Sequence, residues 1–130
     1  MSHVLKIGEM PIKDLECLGV AAEELGGELM LNQKDHLYYA GQRKKCDHAI
    51  RVVGVAGAYE IGVIRNAAGE YELHADFYQG GKGLVNAFGE GAKKLYKHYK
   101  AEAAAQDRRR LGYRVTKQIV ENRLVIHAVK

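Results

Sequence analysis

Apolar and polar residues alternate with period two along the run YEIGVIRNAAGEYELHADFY, from Tyr59 to Tyr78, and this pattern predicts two half-buried strands. Tyr59, Ile61 and Val63 alternate with Glu60, Gly62 and Ile64, while Tyr71, Leu73, Ala75 and Phe77 alternate with Glu70, Glu72, His74 and Asp76. A loop Ala67-Ala68-Gly69, with Gly69 left-handed behind a type I turn, pairs Asn66 with Glu70. Counting outward sets Val63 opposite Leu73, Ile61 opposite Ala75 and Tyr59 opposite Phe77, all on one face. A slip of one residue would destroy the match. On the other face Ile64 meets Glu72, Gly62 meets His74, and Glu60 meets Asp76. Opposed carboxylates repel, so a cation must sit nearby. If the preceding hairpin pairs Val52 with Tyr59, Arg51 falls opposite Glu60 and supplies that charge.

The remaining elements follow from coarser patterns. Ser2 to Gly8 reads as a strand, and Pro11 as the early residue of a helix with the stripe Ile12, Leu15, Leu18, Ala22 and Leu25, ended by Gly26 and Gly27. Glu28 to Tyr39 reads as a short hairpin, or a strand with a loop, interrupted near Asn32 to Asp35. Gly41 to Asp47 is a basic connection, His48 to Val53 a β-branched strand, and the GVAGA segment a loop. After Gln79-Gly80-Gly81-Lys82-Gly83 the spacing predicts one long helix, with Leu84, Phe88, Ala92, Leu95 and Tyr99 inside and Lys93, Lys97 and Lys100 roughly opposite. Two closing strands span Tyr113 to Ile119 and Arg123 to Val129. The order β-α-β-β-β-β-α-β-β predicts an α+β fold, a mainly antiparallel sheet with two helices on one face. Residues 1–130 are expected to form a single domain.

Composition narrows the class. With 47% hydrophobic and 28% charged residues and one proline, the chain suits a globular core rather than disorder. No run approaches the roughly eighteen apolar residues of a spanning helix, and the N-terminus lacks signal-peptide zones, so no membrane association is expected and a cytoplasmic or plastid-stromal location is. Cys17 and Cys46 are too few for a disulfide framework and read as thiols. The net charge of +4 is unevenly placed: Lys82 to Arg110 holds eight basic and three acidic residues, whereas the rest holds twelve and thirteen. The positive excess therefore belongs to one segment, which could attract a polyanion.

The start Met-Ser-His, the step Tyr39-Ala40-Gly41-Gln42, the block YEIGVIRNAAGEYELHADF and the helix containing His98, followed by Gly112-Tyr113-Arg114-Val115, together resemble the family of hypothetical chloroplast open reading frame thirty-five. That family is a domain of unknown function found in cyanobacteria, some algal plastids, other bacteria and phages, and the resemblance covers nearly the whole chain. It implies no catalytic residues. Some bacterial members are encoded beside MoxR-type ATPases, which implies a role as a small accessory of such a machine.

Four constellations carry candidate chemistry. Glu60, Glu72, His74 and Asp76 could hold a divalent cation, but a salt-bridged face open to a protein is the simpler reading, and Glu72, His74 and Asp76 are the candidate partner-binding residues. Gly80-Gly81-Lys82-Gly83 could cradle an anion, yet it fails both nucleotide fingerprints and reads better as a strand-to-helix turn. Lys82, Lys93, Lys97, Lys100, Arg108 and Arg109 are the candidate polyanion-binding residues, with Tyr96, His98 and Tyr99 near enough to stack on bases if they are not packed. Cys46 and His48, with His36, fall short of a zinc signature; Met-Ser-His would match a copper-binding tripeptide only in an unprocessed chain. No cofactor and no catalytic residue is assigned. The expected function is a small non-enzymatic interaction or adaptor protein with a protein partner, an ATPase where the family neighbourhood applies. A nucleic-acid-binding module using the basic helix is the alternative, and a metal-binding enzyme ranks third.

Overall fold

The computed structural model describes residues 4–121 and 123–130. The terminal Met-Ser-His and the start of the expected first strand lie outside them, as does Asn122 of the last turn. The fold is α+β. Five antiparallel strands form the main sheet in the order β1-β7-β6-β5-β2, with β1 at Leu5–Ile12, β2 at Gly27–Met30, β5 at His48–Val52, β6 at Ile61–Arg65 and β7 at Tyr71–Ala75. Helices α1 (Leu15–Glu24), α2 (Leu84–Phe88) and α3 (Lys93–Arg110) bury their apolar sides on one face. Two short hairpins complete the chain: β3 (Asp35–Leu37) with β4 (Arg43–Lys45), and β8 (Arg114–Val120) with β9 (Arg123–Val129).

The β6–β7 register is the one that alternation requires. Val63 faces Leu73, Gly62 faces His74 and Ile64 faces Glu72, and the Asn66 amide donates to the Glu70 carbonyl at 2.7 Å behind Gly69 at φ 79. Ile61, Val63, Leu73 and Ala75 thus join Ile7 and Ile50 beneath Leu18, Leu84, Phe88 and Leu95. Each fully buried side chain of this size contributes about 1.5–3 kcal/mol.

Three expectations are corrected. Pro11 does not open a helix: it lies in β1, where the ladder to β7 is irregular between Ile7 and Ile12, so its missing N–H removes no ladder bond. Asp14 caps α1 instead, accepting from the Cys17 amide at 3.1 Å, while the Tyr99 hydroxyl accepts from the Lys13 and Asp14 amides. The segment from Glu28 to Tyr39 forms neither a hairpin nor one strand, and the expected connection Gly41 to Asp47 contains β4; β2 pairs with β5 and β3 with β4, so six strands rather than the expected four lie between α1 and α2 among the described residues. The long helix is broken at Gly89, φ 83, between α2 and α3. Even so, Leu84, Phe88, Ala92, Leu95 and Tyr99 are all buried, and Lys93, Lys97 and Lys100 are exposed.

The sheet's second face is partly roofed by β3–β4. His36 is fully buried there against Gly62, where a Cβ would come within 2.5 Å of the imidazole. Its Nδ1 lies 3.2 Å from the Glu60 carbonyl; since a carbonyl only accepts, Nδ1 carries the proton, and Nε2 has no partner among the described residues. Burial pushes the His36 pKa below the ordinary value of 6.5, with His74 and Lys44 adding repulsion and Glu60 opposing it. The unfolded chain therefore binds the extra proton first. Stability is full above pH 6.5 and falls as the pH drops toward the lowered folded value, by up to about 1.4 kcal/mol per pH unit for one proton. His48, lowered chiefly by burial, adds to the same window. Urea midpoints measured from pH 7.5 to 5.5 should fall, and less steeply in His36→Asn, whose amide can keep the Nδ1 bond without the titration. Equal slopes in the two proteins would show that His36 is not the sensor.

At the other end of the chain, Lys117 of β8 reaches Glu24 of α1 at 2.7 Å and also Glu102 of α3. Arg109 meets Glu102 at 3.1 Å and His98 meets Glu24 at 3.0 Å. Burial alone would raise the Glu24 carboxyl, but Lys117 and His98 outweigh it and hold it below the ordinary range. This ionic cluster fastens the last hairpin to both helices.

Candidate functional site

Three loops converge at one end of the main sheet: Tyr38 to Gln42, Val53 to Glu60, and Asp76 to Gly83. The Tyr59 amide donates to the Gly81 carbonyl at 3.0 Å and the Glu60 amide to the Leu37 carbonyl at 2.9 Å, while the Tyr39 and Tyr78 rings meet edge to face at 6.0 Å. The third loop has an unusual backbone. Gln79, Gly80, Gly81 and Lys82 all hold positive φ, at 50°, 77°, 62° and 51°, which makes a left-handed turn. Glycine adopts that region freely, but Gln79 and Lys82 each incur about 1–2 kcal/mol. Ala40, φ 57, sits in the same region in the first loop.

Asp76 stands under this turn, 2% exposed. Its Oδ1 accepts from the Tyr78 amide at 2.9 Å, whereas Oδ2 has no partner among the described residues. Burial raises the pKa of the Tyr59 hydroxyl, with the Asp76 charge as the next cause. Beside the exposed Gln79 and Lys82 of the turn, the three loops leave apolar side chains uncovered: Val53 is 52% exposed, Val55 45%, Tyr39 46% and Tyr78 41%. An uncovered aromatic pair, strained non-glycine backbone and an unsatisfied buried carboxylate oxygen coincide here. Each is a feature that marks functional surfaces.

The expected partner-binding trio does not form one surface. Glu72 and His74 are neighbours, Oε1 to Nε2 at 3.3 Å, and Lys6 lies 3.4 Å from the other Glu72 oxygen. The His74 bond, then Lys6, holds the Glu72 carboxyl below its ordinary range. Asp76 has left this face, because β7 ends at Ala75 and the chain turns under the loop. Arg51 does not neutralise Glu60; it bonds Glu28, its direct partner on β2, at 3.0 Å. Glu60 instead accepts from the Leu37 amide, from Gln33 and from Arg43. Among the described residues no group of three or more metal-ligating side chains converges.

The basic set also divides. Lys82 is exposed within the left-handed turn. Lys93, Lys97, Lys100 and Arg108 share one stripe of α3 at helical spacing, spanning about 22 Å, and none of them is in an ion pair among the described residues. Arg109 is committed to Glu102, and Arg108 lies over the Tyr113 ring at 5.8 Å. The expected stacking residues are occupied: Tyr96 donates to the Ile7 carbonyl at 2.7 Å, Tyr99 is 5% exposed, and His98 is bound to Glu24.

The thiols are poor nucleophiles. Burial, then Asp14, pushes Cys17 up to about 12, and burial pushes Cys46 up to about 11. Cys46 donates to the Gln33 carbonyl, His48 accepts from the Asn32 amide and His36 is packed on Gly62, so these three do not form a shared site. No helix among the described residues is long and apolar enough to cross a membrane.

Sequence reasoning missed the three-loop surface because its residues come from segments far apart in the chain. The glycine density of Gly80-Gly81-Lys82-Gly83 was its only local signal. Comparison with protein-family models, with curated proteins and with solved structures finds no match for the chain.

Proposed function

We propose that the chain is a small non-enzymatic interaction protein that docks a protein partner on the three-loop end of its sheet. The observation that supports this most is the exposed Tyr39–Tyr78 pair with Val53 and Val55, where the Tyr78 amide is anchored on the buried Asp76 carboxylate at the start of the left-handed turn. Tyrosines on a rigid support supply large contact area at small entropic cost, and they recur where binding energy concentrates. For the class of partner we propose a MoxR-type ATPase, on the ground that some bacterial members of the family the sequence resembles are encoded beside such ATPases.

The test is capture of a MoxR-type ATPase from the source organism by the immobilised protein. Tyr39→Ser combined with Tyr78→Ser should weaken capture by about tenfold or more, while thermal stability stays nearly unchanged because both rings are substantially exposed. Glu72→Ala serves as a control on the other sheet face and should leave capture intact. Equal capture by the double tyrosine variant and the parent would remove this surface from consideration.

A further inference from the structure

The last hairpin and α3 enclose a second surface, independent of the three-loop end. A cleft of about 460 Å³ runs between them, lined by Leu25, Lys94, Lys97, His98, Ile119 and Leu124. Lys117, on the same face of β8 as Ile119, is tied to Glu24 and Glu102, and so fastens the hairpin over the helices. Ile119 is nonetheless 67% exposed at the cleft's edge. A β-branched side chain at that exposure, facing a helix across a gap, lacks the packing its position offers. Lys94 and Lys97 stand on the helical side without ion-pair partners among the described residues, and Lys93, Lys100 and Arg108 extend the same charge along α3.

We infer that this cleft binds an acidic protein segment that carries an apolar side chain. Charge complementarity favours an anionic occupant, because Lys94 and Lys97 line the cleft without ion-pair partners, no acidic residue lines it among the described residues, and the neighbouring Glu24 carboxylate is already engaged by His98 and Lys117. The aliphatic lining of Leu25, Ile119 and Leu124 then selects among anions. Nucleic acid would use aromatic faces for stacking or a basic groove free of aliphatic walls, and here Tyr96 and Tyr99 are consumed by backbone bonds. A leucine or isoleucine side chain flanked by aspartates or glutamates satisfies both halves of the site. The carboxylates meet Lys94 and Lys97, and the apolar group fills the space beneath Ile119.

The probe is a synthetic peptide rich in glutamate with one leucine per helical turn, fluorescently labelled and titrated with the full chain. Its comparators are the same peptide with serine for leucine, polyglutamate, and single- and double-stranded oligonucleotides. The leucine peptide should bind most tightly. Ile119→Asp should lower its affinity by about tenfold or more, as should Lys94→Gln with Lys97→Gln. Added salt should weaken binding without removing the preference for leucine over serine, because apolar contact is not screened. Unfolding midpoints of these variants verify that the fold is intact, and Tyr39→Ser with Tyr78→Ser should bind the peptide normally, which separates this site from the three-loop surface. Three outcomes would overturn the inference: no binding of the leucine peptide, equal binding of leucine and serine peptides, or tighter binding of an oligonucleotide that survives Ile119→Asp. The last would assign the stripe to nucleic acid instead.

Discussion

Leu95→Ala should cost about 2–5 kcal/mol in urea unfolding. Leu95 is completely buried in the cluster formed by the sheet and all three helices. Truncation removes its transfer energy and leaves a cavity, which close-packed neighbours on three helices can only partly fill. Lys97→Ala, two residues along but exposed, should change stability by no more than about 0.5 kcal/mol. The contrast is the informative result. Similar losses at the two positions would mean that α3 does not present the Leu95 side to the core.

Lys117→Met should be comparably severe, at about 3 kcal/mol, for an electrostatic reason. Glu102 is 3% exposed and Lys117 is one of its charged partners, so removing the ammonium leaves a buried carboxylate less well compensated. The expected loss sits at the lower end for a broken buried pair, because Arg109 and Gln106 still reach Glu102. Adding Glu102→Leu should recover part of it, since the buried carboxylate is gone, while Glu24 still lacks Lys117 and Arg109 lacks Glu102. Unfolding of the parent, both single variants and the double variant closes the cycle. A single-variant cost under about 1 kcal/mol, or no recovery in the double, would show that water screens the pair.

Local pattern carried the reading as far as local physics decides the structure. The β6–β7 register was legible because only one pairing puts Val63 and Leu73 on the same face and leaves Gly69 to make the turn. The α3 stripe was legible for the same reason, but the break at Gly89 was not: Leu84, Phe88, Ala92, Leu95 and Tyr99 keep helical spacing across it, so periodicity passes through unmarked. Pro11 misled because proline suits both the first turn of a helix and an irregular strand, and only the β1–β7 ladder distinguishes them. Arg51 shows the limit most plainly. The expected β5–β6 alignment agrees with the observed Ala49–Gly62 and Ile50–Ile61 pairs, yet the ladder stops short of Arg51. Its true partner, Glu28, lies on β2, whose place beside β5 is a matter of topology that no local pattern records. Asp76 failed for a related reason, since parity assigns a face only while the strand continues, and β7 ends one residue earlier.

The order of strands in the main sheet also governs how the chain can be made. Both outer strands, β1 and β2, come from the N-terminal part of the chain, while the strands between them are later in sequence. Leu5 must wait for Ala75, and Gly27 for Val52, before either finds its ladder partner. As the polypeptide leaves the ribosome, the amphipathic α1 and two strands with open edges therefore precede the surface on which they will pack. Non-local closure of this kind slows folding and prolongs exposure of apolar side chains. The β6–β7 hairpin supplies the ladder for β1, but α1 stays uncovered until α3 follows, because its buried face packs against that helix as well as the sheet, so the N-terminal third of the protein becomes protected only once most of the chain has been made.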